Sequence, residues 1–244
     1  MLRLGKACIN SEFGMPKTQP VTLEGVNWLK RASEAATPLY PNAPYELALL
    51  HEYGHEDVVF PDEAYAIQLF AKASDLGHAD ASYRLGEAYE YGRMGCPEDA
   101  SLSIHYYSLA AREGHPQAML SLCAWYMVGA DGILDQCDEE AFAWAQRAAE
   151  AGLAKAEFAT GYFLERGKGC RRDSLEAWKY YVRAAEHGDE RAIARLKAGK
   201  DVNSDRNQIP SAATNDLDLG SSEVESGGEK GPSPRQGKKF WKRT

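Results

Sequence analysis

The sequence predicts an all-α protein, an α/α solenoid of tandem helix-turn-helix units, and three observations carry that prediction. First, Gly77, Gly114, Gly152 and Gly188 recur at intervals of 37, 38 and 36 residues, and Gly54, Gly92, Gly129 and Gly167 recur at 38, 37 and 38, about half a period out of step. A fixed period of this size marks a repeat architecture, and the two interleaved series give each unit two segments. Second, apolar residues between the glycines step by three and four, as in Ala81, Leu85, Ala88 and Tyr89, or Phe142, Ala145, Ala148 and Ala149. That is the stripe of a helix rather than the alternation of a strand. Third, the place four before each glycine of the first series holds Ala73, Ala110, Ala148 and Ala184, with Ala32 in an earlier copy that lacks the glycine. A methyl in every layer lets neighbouring backbones approach closely.

Residues 2–14 follow the pattern imperfectly. Arg3-Leu4-Gly5-Lys6-Ala7 mirrors Arg84-Leu85-Gly86-Glu87-Ala88, so the chain is expected to open inside a repeat, with further repeats upstream in the full protein or with Met1 beginning a fragment. Helices are then expected over 20–36, 43–53, 62–76, 79–91, 99–113, 116–128, 138–151, 154–166, 174–187 and 190–198. Glycine at a segment end supplies the left-handed residue that closes a helix, while Asp99, Asp138 and Asp173 stand where the next helix begins and can cap its free amides. Leu69, Tyr106, Trp144 and Tyr180, eight before the glycines, are expected to fill the spaces between layers. The solenoid should thus occupy residues 1–198 as about five helix pairs with a continuous core. Beyond it, residues 199–231 are Asn, Ser, Asp, Glu and Gly with scattered apolar groups that cannot offset chain entropy, so 199–244 is expected to be a disordered tail.

Composition narrows the functional classes. The 244 residues carry 28 Lys and Arg against 36 Asp and Glu, a net charge of −8. A nucleic-acid partner is not expected from that balance, because such affinity rests largely on neutralising phosphates. No run approaches the roughly 18 apolar residues that a spanning helix needs. The opening Met1-Leu2-Arg3-Leu4-Gly5-Lys6-Ala7 lacks the apolar core and small-residue cleavage site of a signal peptide, and a cytosolic chain is expected. Cys8, Cys96, Cys123, Cys137 and Cys170 form an odd set with no C-x-x-C and no repeated interval, which reads as reduced thiols, with Cys123 placed as a small core hydrophobe.

His51-Glu52-Tyr53-Gly54-His55 fits H-E-x-x-H, in which one helical turn sets two imidazoles on a zinc ion. Gly54, however, occupies the helix-ending slot of Gly92, Gly129 and Gly167, so His55 is expected beyond the helix, turned away from His51. His78 and His115 fall at matching loop positions after Gly77 and Gly114, which argues turn packing rather than a third ligand. Gly167-Lys168-Gly169-Cys170 lacks the spacing and preceding strand of a P-loop, and no G-x-S-x-G is present. No catalytic residue, metal, cofactor or small-molecule substrate is therefore expected, and the chain is not expected to be an enzyme. The terminal run does offer one contact. Lys238, Lys239, Phe240, Trp241, Lys242 and Arg243 mix cations with aromatics, and weak attraction to an anionic membrane is expected at about 1 kcal/mol per cation.

The unit Ala-Ala-x-x-Gly-x-x-x-Ala-x-x-x-Leu-Gly-x-x-Tyr-x-x-Gly, seen from Ser74 through Gly92, resembles the Sel-1-like repeat, whose fold is a superhelix similar to that of tetratricopeptide repeats. Tyr45-Glu46-Leu47-Ala48-Leu49-Leu50-His51-Glu52, Gly95-Cys96-Pro97-Glu98-Asp99, Ser103-Ile104-His105-Tyr106-Tyr107 and Ala154-Lys155-Ala156-Glu157-Phe158-Ala159-Thr160-Gly161-Tyr162 are similar to the fungal chitin synthase activators. The resemblance covers about residues 1–198. It implies a non-catalytic adaptor that binds a chitin synthase catalytic subunit at the cytosolic membrane face and helps place and activate it at the plasma membrane or division septum. The alternative is a generic adaptor of the same repeat in membrane-protein quality control or signalling. Several such activators end in a prenylated cysteine box, whereas this sequence closes in Lys242-Arg243-Thr244, so lipid anchoring is not carried over.

A solenoid of paired helices offers a concave face built by the first helix of each unit, suited to an extended peptide or a partner helix. Position within the unit projects Glu87, Glu90, Tyr91, Trp125, Tyr162, Glu165 and Arg166 from that face. Aromatic and ionic groups of this kind anchor protein interfaces, and the acidic balance suits a basic segment of the membrane enzyme. Trp125 and Tyr162 would equally suit the core between layers.

Overall fold

The computed structural model describes residues 1–206 apart from 11, 13–17 and 57, with side chains to residue 198. Among the described residues there are eleven α-helices and no strand beyond isolated bridges. In chain order they are α1 Leu2–Ile9, α2 Gln19–Glu34, α3 Asn42–Tyr53, α4 Glu63–Asp75, α5 Ala79–Tyr91, α6 Ala100–Arg112, α7 Pro116–Val128, α8 Asp138–Glu150, α9 Ala154–Arg166, α10 Ser174–Glu186 and α11 Glu190–Arg206. Each helix packs on its neighbours in sequence, which is the α/α solenoid. Helix α11 runs past the expected end at 198, since Gly199 weakens a helix by about 1 kcal/mol relative to Ala without ending it. The tail residues Lys238, Lys239, Phe240, Trp241, Lys242 and Arg243 lie outside the described residues.

The two glycine series end helices differently. Gly92 and Gly167 are left-handed C-caps, while Gly54 and Gly129 pair a positive φ with an extended ψ near 172° and 174°. In the other series the glycine lies one past the C-cap, and the next amide returns to the alanine four before the glycine: His78 to Ala73 at 3.0 Å, His115 to Ala110 at 3.1 Å and Asp189 to Ala184 at 2.8 Å. The helix-closing bond and the small-residue slot are thus one device. Ala73, Ala110, Ala148 and Ala184 are all fully buried, whereas Ala32 is half-buried.

The deepest large side chains sit one place later than the sequence suggested. Phe70, Tyr107 and Tyr181, seven before the glycines, are buried with Ala145 in the same register, while Tyr106, Trp144 and Tyr180 are half-covered; only Leu69 of that set is buried. One residue is a rotation of about 100° on a helix, which carries a side chain from the interior to its margin. Each buried group is matched in size by the facing odd-numbered helix. Gly86 stands against Tyr107, where an added Cβ would lie 2.5 Å from Cδ1, and Gly161 stands against Tyr181, where it would lie 2.8 Å from Cε1. In the layers between and before them the same places hold Cys123 with Ala145, and Ala48 with Phe70. Burial of Phe70 and Phe163 contributes about 1.5–3 kcal/mol each.

Capping also departs from the sequence reading at one helix. Asp99 accepts from Leu102 N, Asp173 from Leu175 N and Glu176 N, and Asp62 caps α4 in the same way. Asp138 does not cap: Cys137 takes the N-cap place, so the aspartate is already helical and pairs instead with Lys168 Nζ at 3.1 Å. His78 and His115 cap α5 and α7, each accepting through Nδ1 from an amide three residues on.

Candidate partner-binding site

The odd-numbered helices share one register and line one face. Ionic links join successive members of this row: Lys6 to Glu46 at 2.6 Å between α1 and α3, Arg84 to Glu52 between α3 and α5, and Arg195 to Glu165 between α9 and α11. In the last two, a glutamate two before the helix-ending glycine meets an arginine of the next odd helix, seven after the preceding turn glycine. Helix α7 breaks the row. Its sequence, Pro116 to Val128, contains no charged side chain, and the arginine and glutamate places hold Ser121 and Met127. Gln117 and Ser121 are polar residues on α7, and the apolar Leu120, Ala124 and Met127 stay half-exposed.

The sequence-derived site residues fall into two groups on either side of α7. On α5, Glu87 accepts from Tyr83 hydroxyl at 3.0 Å and lies 3.8 Å from Arg84, and Glu90 accepts from the buried Tyr107 hydroxyl at 2.6 Å. Tyr91 lies under the Arg93 guanidinium at 5.0 Å, and burial, then Glu90, pushes its phenol up. On α9, Tyr162 lies under Arg166 at 5.3 Å, and Arg166 is exposed. Burial raises the Glu165 carboxyl, but hydrogen bonds from Tyr181 hydroxyl at 2.7 Å and from Arg195 outweigh it and hold the group below its usual range. Glu90 and Glu165 therefore also tie buried tyrosines to the helix ends.

Trp125 does not project from this face. It is 5 % exposed and packs with Tyr107, Ala111, Ala118 and Leu122. Register explains this: Glu87 and Tyr162 stand five before their glycines, and the matching place on α7 is Ala124, whereas Trp125 is rotated toward α6 and α8. The sequence reading missed what surrounds Ala124. Tyr83, Glu87, Gln117, Leu120, Ser121, Ala124, Leu153 and Lys155 line a pocket of about 250 Å³, with the Glu87 carboxylate from α5 on one wall and Lys155 of α9 on another. Burial, then Glu87, raises the Tyr83 phenol, so it stays a donor to that carboxylate, and its ring stacks on His115 at 4.5 Å. The absence of charge along 116–128 was the available signal.

His51 and His55 are separated as the sequence suggested. Helix α3 ends at Tyr53, His51 meets Tyr65 edge-on at 4.8 Å, and His55 donates its amide to the Val59 carbonyl. Cys123 is buried, and burial pushes its thiol up to about 12. Cys8 is buried as well. Among the described residues no helix is long and apolar enough to cross a membrane.

Comparison with known proteins adds to this geometry. The Sel1 repeat matches residues 1–36, 41–78, 79–115, 116–153 and 154–189, the last four copies ending one residue past Gly77, Gly114, Gly152 and Gly188. A chitin synthase regulator SKT5 of Malassezia restricta is 54% identical over 188 residues, covering 77% of this chain and 13% of that protein. Chitin synthase regulator SKT5 of Saccharomyces cerevisiae is 46% identical over 198 residues, covering 81% and 28%. Chitin synthase regulatory factor 3 of Schizosaccharomyces pombe is 36% identical over 197 residues, covering 81% and 21%. The chain thus spans less than a third of the length of these relatives. Among solved structures, a Sel1 repeat protein from Oxalobacter formigenes superposes with a TM-score of 0.67 at 26% identity, covering 81% of this chain and 76% of that one. A protective antigen of uropathogenic Escherichia coli displaying an SLR fold superposes with a TM-score of 0.64 at 29% identity, covering 70% and 35%.

Proposed function

We propose, from the premise that this chain belongs to the Sel1-repeat family and resembles the fungal chitin synthase regulators, that it is a non-catalytic scaffold which binds a chitin synthase and regulates it. The observation that carries the reading is the uncharged, half-exposed strip of α7 set between the ionic groups of α5 and α9. An apolar centre with a polar rim is the anatomy of a protein interface. Its pocket gathers one carboxylate and one ammonium without a paired acid and base or a nucleophile beside a base, which suits recognition rather than turnover. The names of the relatives support the chitin synthase as the protein bound, and the reading places the contact at the cytosolic face of the membrane that holds the enzyme.

Co-purification tests this. The tagged chain should enrich a chitin synthase cytosolic region from detergent extract, and Ala124→Asp should reduce recovery roughly tenfold or more by placing an unpaired charge in the interface. Circular dichroism should show the helical signal unchanged. Absence of enrichment with the wild-type chain would overturn the chitin synthase reading and favour a generic adaptor of the same fold.

A further inference from the structure

The interrupted ionic row has a specific shape. In α5 and α11 the place seven after the turn glycine holds Arg84 and Arg195, and each guanidinium reaches a glutamate of the preceding odd helix. In α7 that place is Ser121; on the preceding odd helix the glutamate in register is Glu90, which accepts from Tyr107, and Glu87 stands one turn before it, beside Tyr83 and Arg84. Where the protein fills the space twice with its own arginine, here it leaves a pocket of about 250 Å³. Its lining combines an aromatic residue, Tyr83, the apolar Leu120, Ala124 and Leu153, and an acid, Glu87. An arginine side chain matches each part: methylenes against the apolar residues, a planar cation against a tyrosine ring, and a fork toward a carboxylate. Lys155 of α9 also lines the pocket and disfavours a second cation beside it.

We infer that this pocket receives an arginine side chain from the protein partner, in the layer where the row of Arg84 and Arg195 is interrupted. The inference deepens the proposed function and rests on its reading of this face as the partner surface. The arginine enters between α5 and α9 with its guanidinium toward Glu87. Lysine is a poorer occupant, because a compact ammonium neither stacks on Tyr83 nor forks to a carboxylate.

The test needs no partner. The isotope-labelled full chain is titrated with N-acetylarginine amide and, in parallel, with N-acetylcitrulline amide, its neutral isostere, while backbone amide shifts are followed. Arginine should give saturable shifts at Ser121, Ala124 and Leu153, with citrulline roughly tenfold weaker. Glu87→Gln should bring the arginine response down to the citrulline level. Ser121→Arg should remove it, with a melting temperature no lower than that of the wild type, because the new guanidinium occupies the vacant place in the row. Equal responses to the two probes, or shifts confined to other layers, would overturn the inference; so would an undiminished response in folded Ser121→Arg or in Glu87→Gln. Chitin synthase co-purification that persists in Ser121→Arg would sink the arginine pocket alone and leave the regulatory scaffold standing.

Discussion

Gly86 and Tyr107 show how much one side chain decides. The tyrosine ring is fully buried only because the helix opposite has no Cβ at the point of approach, and its hydroxyl, carried through the layer, ends on Glu90. Gly86→Ala should destabilise by about 1–3 kcal/mol through overpacking, read as a lowered midpoint in urea. The third layer supplies the compensation: Gly86→Cys with Tyr107→Ala reproduces the native pairing of Cys123 with Ala145. That double variant should lose less than the sum of its parts, since contacting residues couple; strict additivity would count against size matching. The histidines make a second argument at this scale. Nδ1 of His78 and of His115 accepts an amide hydrogen bond, so each ring must be neutral there. Burial lowers both pKa values from the usual 6.5, against the raising effect of Asp80. Their contribution to stability is therefore complete above pH 6.5 and is lost as the pH falls from there through the lowered folded values. Replacing both by Asn, which caps without titrating, should flatten that limb of the melting-temperature profile. The repeated glycines and alanines made these slots legible in the sequence. The histidine caps were not, because a ring nitrogen acting as acceptor depends on backbone direction that spacing does not encode.

At the scale of the element, the bounds of α2 to α10 were legible to within one or two residues, because most of these helices carry their own stops, an aspartate or histidine before and a glycine after, while α11 runs eight residues past its expected end. The failures are instructive. Asp138 looks like Asp99 and Asp173 in sequence but sits one place inside α8, where an acid meets the helix dipole and Lys168 rather than a free amide. Asp99→Ala should accordingly cost about 1 kcal/mol, and Asp138→Ala about half that or less, because its pair is partly exposed. Equal losses in thermal denaturation would show that the two termini are capped alike. Helix α7 was read correctly as an element and incompletely as a surface. Trp125 drew attention as a large aromatic and is buried, whereas Leu120, Ala124 and Met127 are among the α7 residues left half-exposed. An uncharged helix gives no polar stripe from which its outer side can be told, so only the placement of α5 and α9 reveals it.

For the whole molecule, packing is local in sequence: α1 meets α2, α10 meets α11, and every inner helix is held by the helices before and after it. Stability in such an array is a sum over layers and their interfaces, so layers with neighbours on both sides open least. Tyr107, Leu122, Trp125, Cys123 and Phe163 belong to the clusters that hold α6 to α9 together in the middle of the described chain. Amide hydrogen exchange should therefore be slowest in α5–α8 and faster in α1 and α11. The proposed arginine pocket, floored by α7, would then sit in the most protected layer. A partner binding there meets a preformed surface and need not order one, which keeps the entropic penalty of association small. Exchange in α7 should slow no more than about twofold on binding if the surface is rigid beforehand. A far larger slowing confined to α7 would mean that the layer folds around its partner, and a uniform exchange rate from α1 to α11 would mean that the layers unfold as one unit.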